Sequence, residues 1–186
     1  MRYFRIIIFL RRKGERYILK GMKKISADEY FESVVKSFPG VTPVEFEDMT
    51  LISEKLFRIQ WFNRLHFNSH IAYADNLGAE MLISYTSGCL QYHTKNKLSN
   101  FDPKICNAVV ICESADRQAI DIALKRPRLN MIIDVFPVVV DLENGEIYYY
   151  NGPMFTRLLY NRYEREYIDE HFGKPLRALK NKLLPE

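Results

Sequence analysis

Tyr30, Phe31, Val34, Val35 and Phe38 recur at helical spacing and form one apolar stripe. Ser26 and Glu29 supply a capping-box pattern before the stripe, and Pro39-Gly40 stops it, so this stretch is predicted as a helix. From Val41 to Thr94 the pattern turns β-favouring. Leu56–Phe62, Leu65–Ala74, Glu80–Tyr85 and Leu90–Thr94 read as strands. Turn signals at Asp75-Asn76-Leu77-Gly78 and Thr86-Ser87-Gly88 make them an antiparallel meander of three or four strands.

Lys95–Lys104 is polar and reads as a loop. Ile105–Cys112 is almost wholly apolar, the pattern of a central strand covered on both faces. Ser114 is the expected cap of a short helix from Ala115 to about Arg126, ended by Pro127. Met131–Val140 is a second apolar run. Strand, helix, strand over this length predicts a right-handed βαβ unit with parallel strands. Pro137 cannot donate to a ladder and so marks an edge, a bulge or a break. Leu142-Glu143-Asn144-Gly145 is an Asn-Gly hairpin turn leading into Ile147–Tyr150. Beyond Pro153 the spacing predicts a helix to Gly173 and a short last helix, Leu176–Leu184. The fold class expected is α+β: a mixed, mostly antiparallel sheet with one βαβ unit and helices packed on it.

Tyr3–Leu10 and Arg16–Lys20 flank a Gly-containing turn and suggest an N-terminal hairpin. Met22-Lys23-Lys24 also resembles a start, so residues 1–21 are read as a basic hairpin or a leader. No Gly-, Ser- or Pro-rich linker divides the 186 residues, and the chain is taken as a single domain, 1–186, ending in C-terminal helices over 153–186.

Charge changes this picture only at the beginning. The net charge is +4, but residues 1–25 carry nine basic side chains and one acid, whereas residues 26–125 carry nine basic and thirteen acidic. Arg11, Arg12, Lys13 and Arg16 are therefore the candidate polyanion-binding residues, for nucleic acid or an anionic surface. Solvated charges protecting a strand edge are the favoured explanation of them. The longest early apolar run, Ile6 to Leu10, is too short to span a membrane. Cys89, Cys106 and Cys112 show no disulfide spacing, and the expected compartment is a reducing cytoplasm.

Candidate chemistry is sparse. Asp75 is followed at a distance by Asp102-Pro103-Lys104, at the entrance to the Ile105 strand. With the order helix, meander, strand, helix, strand over about residues 26–140, this resembles the core of the restriction-endonuclease-like nucleases. The resemblance implies an acid on one strand and an Asp/Glu-x-Lys on the next, the acids holding Mg²⁺ and the lysine steadying the attacking water. Asp75, Asp102 and Lys104 are the catalytic residues under that alternative. The chain departs from the pattern in placing Pro103 inside the motif and Asp102 ahead of the strand.

His66 and His70 share a strand face, but two imidazoles are too few for zinc, and nothing in the sequence brings His93 or Asp75 to them. Cys89 and His93 lack the signature of a thiol nucleophile and its base. Cys112, Glu113 and Ser114 stand where α/β sheets bind ligands, but Glu113 and Asp116 repel phosphate and no Gly-rich loop is present. Asp134, Asp141, Glu143 and Glu146 gather at the final hairpin, where turn formation explains them. Tyr160, Arg162, Tyr163, Arg165 and Tyr167 combine the residue types that interfaces favour on one helix, although packing onto the sheet explains the tyrosines too. The leading expectation is a cytoplasmic, non-catalytic binding or regulatory domain acting through a protein interface, by a partner or self-association, without a cofactor. A Mg²⁺-dependent nuclease is the first alternative, and a nucleic-acid or anionic-surface binder using the basic N-terminus is the second.

Overall fold

The computed structural model describes residues 24–46, 49–56, 65–95, 104–125, 133–152 and 158–183. The helix α1 (Ala27–Lys36) is followed by β1 (Val44–Phe46), β2 (Met49–Leu56) and β3 (Leu65–Leu77). Next come α2 (Ala79–Lys95), β4 (Lys104–Ala115), α3 (Arg117–Leu124), β5 (Ile133–Asp141) and β6 (Glu146–Tyr148). The chain closes with α4 (Leu158–Ile168), a π-helical turn (Asp169–Gly173) and α5 (Lys174–Leu183).

The six strands form one sheet in sequence order, β1 to β6. The pairs β1–β2, β2–β3 and β5–β6 are antiparallel, while β3–β4 and β4–β5 are parallel. This is the expected α+β class with a mixed, mostly antiparallel sheet, but it contains two βαβ units. The additional unit is β3–α2–β4. Residues 80–94, expected as two strands, are one helix. Leu82, Cys89 and His93 are its buried positions, a spacing of seven and four that only a helix brings to one side. The Thr86-Ser87-Gly88 turn signal lies inside it, with Thr86 Oγ1 bonded to the carbonyl of Leu82.

The strict alternation along β4 separates two cores. Ile105, Val109 and Ile111 face α1, α4 and α5, where they meet Tyr30, Val34, Ile168, Phe172, Leu176 and Leu179. Val110 and Cys112 face the opposite side with Leu82 of α2 and Ala119 and Ala123 of α3. Both faces of the central strands are thus covered, as continuous apolar runs require. The α1 layer is tied to the C-terminal helices by the buried Tyr30 hydroxyl, which donates to the Phe172 carbonyl at 3.0 Å.

Local signals were partly replaced. Ser26 stands at the α1 N-cap without a side-chain capping bond. Asp116, not Ser114, caps α3, accepting from Ala119 N at 2.6 Å, while Ser114 donates to Asn76. Pro137 lies within β5, and β6 begins to pair only at Val139, so the outer side of β5 has no β6 partner there. Gly173 does not stop the C-terminal helix. The π turn runs through it, and a Cβ there would lie 2.6 Å from Asp169 Oδ1, which pairs with Arg177.

Candidate metal centre

The register separates two of the residues proposed for a nuclease. Lys104 pairs with His66 near the start of β3, whereas Asp75 is nine residues further along that strand and exposed. At the rise of a strand that is about 30 Å. Asp102 lies outside the described residues, as do Arg11, Arg12, Lys13, Arg16 and the expected N-terminal hairpin. Asp141 accepts from the backbone and side-chain amides of Asn144 at 3.0 and 2.8 Å, so it serves the hairpin turn.

The C-terminal tyrosine stripe divides. Tyr167 is 3% exposed, stacked on Phe67 with centroids 4.3 Å apart, and its hydroxyl is 3.2 Å from Ser69 Oγ. It is a core residue, not an open surface anchor. Tyr163 is half-buried against the same core. Arg165 is exposed and donates to the Asn151 carbonyl. The side chains of Tyr160 and Arg162 lie outside the described residues.

A different constellation converges beneath α2. His70 projects from β3, Cys106 from β4 and His93 from the last turns of α2. The register Asn68↔Cys106 and His70↔Ala108 sets the two strand residues diagonally on adjacent strands, on the α2 face. His93 descends on them from the helix. Its Nε2 is 2.8 Å from His70 Nε2, so one ring nitrogen donates a hydrogen bond to the other. The ligand atoms of His70, His93 and Cys106 all lie within 4.8 Å of one another, and all three residues are buried. Tyr92 meets both rings edge-on, with centroids 5.4 Å away in each case.

Burial sets the protonation of this cluster. Desolvation, followed by the neighbouring His93, pushes His70 down to about 4, so its imidazole is neutral at physiological pH. Desolvation raises Cys106 well above the ordinary thiol range, and the adjacent Cys89 raises it further. Neutral imidazoles and a thiol that yields its proton to a cation form a nitrogen–sulfur donor set suited to Zn²⁺ and related thiophilic ions. Tetrahedral zinc needs the two nitrogens about 3.3 Å apart and the sulfur about 3.6 Å from each. The two ring nitrogens, 2.8 Å apart, would open by about 0.5 Å to reach that spacing.

The other sheet face buries a second polar group. Ser69, Asn107 and Asp134 come from β3, β4 and β5, and Tyr167 and Glu164 approach from α4. Glu164 is 2% exposed and held well above the usual carboxylate range by desolvation and then by Asp134. Neither side-chain polar atom of fully buried Asn107 has a hydrogen-bond partner among the described residues.

In the sequence His70 and His93 stand out as candidate ligands, whereas Cys106 reads as one more apolar position in a central strand. No protein-family model matches the chain, and comparison with the curated proteins finds no relative.

Proposed function

We propose that this protein is a non-catalytic domain that binds one thiophilic transition-metal ion, Zn²⁺ by donor preference, between α2 and the sheet. The convergence of His70, His93 and Cys106 carries this reading. The site is closed to solvent, whereas catalytic zinc keeps a position open to substrate, so the ion's role is to hold three elements together. The nuclease alternative draws no support from the placement of Asp75 and Lys104. A protein-binding role suits a metal-stiffened domain, with exposed Arg165 as the remaining described contact of the expected interface.

The test is metal stoichiometry. Protein expressed with zinc, desalted and assayed by elemental mass spectrometry is expected to retain about one ion per chain. Cys106→Ser and His93→Ala should each lose it. Wild-type protein that retains no zinc and takes none up on titration refutes the proposal.

A further inference from the structure

We infer that Cys89 is the fourth ligand, so that the ion sits in a closed Cys₂His₂ tetrahedron formed by His70, Cys89, His93 and Cys106. This rests on the three-residue site proposed above and completes it. Cys89 and His93 are four residues apart on α2 and face the same side; both are buried, at 1% and 7% exposure. Cys89 packs in one cluster with Cys106, Ala108 and Val135, and Tyr85 and Leu90 lie against it. The group whose ligand atoms lie within 4.8 Å of one another is His70, His93 and Cys106, and the Cys89 side chain borders Cys106 from outside that group. A change of one rotamer well moves a cysteine sulfur by about 3 Å, enough to turn it from that packing position toward the ion.

Charge balance favours a second sulfur. A divalent ion bound by two neutral imidazoles and a single thiolate leaves a net positive charge in a site cut off from water, which is costly. A second thiolate makes the centre neutral. Among the described residues, Cys89 is the cysteine that shares the cluster of Cys106, while Cys112 belongs to the α3 side and donates to the Val140 carbonyl. Four protein ligands also leave no open position, which agrees with the burial of all four side chains.

Proton release distinguishes two thiolates from one. The full-length protein, stripped of metal and titrated with Zn²⁺ in weak buffer near neutral pH, should release two protons per ion, one from each thiol. Cys89→Ser should release one and bind roughly 100-fold more weakly. Equal proton release and equal affinity in wild type and Cys89→Ser overturn the fourth ligand but leave the three-residue site standing. Absence of zinc uptake by the wild type refutes the underlying site itself. If Cys89→Ser does not fold, Co²⁺ in the wild type answers the question. A sulfur-to-cobalt charge-transfer band with the intensity of two thiolates supports the inference, and that of one overturns it.

Discussion

Truncating Tyr167 separates a core helix from an interface helix. Its ring stacks on Phe67, lies 6.0 Å from Phe38 and 4.6 Å from the His171 ring, and is almost completely removed from water. Removal of a large buried aromatic side chain costs about 3–5 kcal/mol. In Tyr167→Ala the hydroxyl of Ser69, which has no exposure, also loses its described partner, adding about 1 kcal/mol or more. The total, about 4–6 kcal/mol, corresponds to a fall of roughly 10–20 °C in melting temperature for a chain of this size. Tyr167→Phe keeps the ring and removes the hydroxyl with its Ser69 contact, so about 1–2 kcal/mol is expected. Adding Ser69→Ala to Tyr167→Phe should recover part of that loss, because removing both polar partners leaves neither unsatisfied. Urea unfolding followed by circular dichroism measures all three. A Tyr167→Ala protein that melts within about 2 °C of wild type refutes the core assignment and returns the residue to the interface.

Other outcomes follow from the same packing. Tyr163→Ala, at a half-buried ring, should lower stability by about 2–3 kcal/mol in urea unfolding, less than Tyr167→Ala. Asp116→Ala removes the α3 cap and should cost about 1 kcal/mol by the same measurement. His70 is held down to about 4 against an ordinary 6.5, so the unfolded chain takes up its proton first. Metal-free protein should therefore lose about 3 kcal/mol from this group as pH falls from 6.5 through 4, in a pH series of urea midpoints. Glu164 has the opposite sign. Its raised pKa favours the fold below about 4.5, and stability should fall by about 1.4 kcal/mol per pH unit above that until the folded carboxyl ionises. Glu164→Gln should flatten that slope; an unchanged slope would show that Glu164 is not the titrating group.

The parts of the fold that were legible are those in which pattern and burial agree. Ile105–Cys112 is uniformly apolar because β4 has helices on both faces, and its exception, Asn107, is also fully buried. The β5–β6 turn was legible because Gly145 has a φ of +63°, a conformation that an Asn-Gly pair favours. Cap positions were less legible. Ser114 and Asp116 both meet the chemical requirement for a cap, and the contact of Ser114 with Asn76 of β3 leaves the role to Asp116. That choice is a tertiary one, made across 38 residues of sequence.

The α2 helix and the candidate metal site were hidden for the same reason. The inward stripe of α2 is Leu82, Cys89 and His93, with Tyr85 beside it. A count of hydrophobic positions scores the histidine as polar and meets serine, threonine and glycine between the apolar residues, so the helical period does not stand out. The histidine is inward because His70 lies on the sheet beneath it, and in the sequence His70 is a polar position sharing a strand face with His66. Each residue is legible as core only when the other is already in place. The same applies to Cys106, which is apolar by its neighbours and a candidate ligand only by its position diagonal to His70. A polar residue in a buried stripe needs a partner to offset its desolvation. Polar residues that break the period of an otherwise buried helix, together with a cysteine in a central strand, are therefore the signal to follow, since the proposed ion would satisfy them all at once.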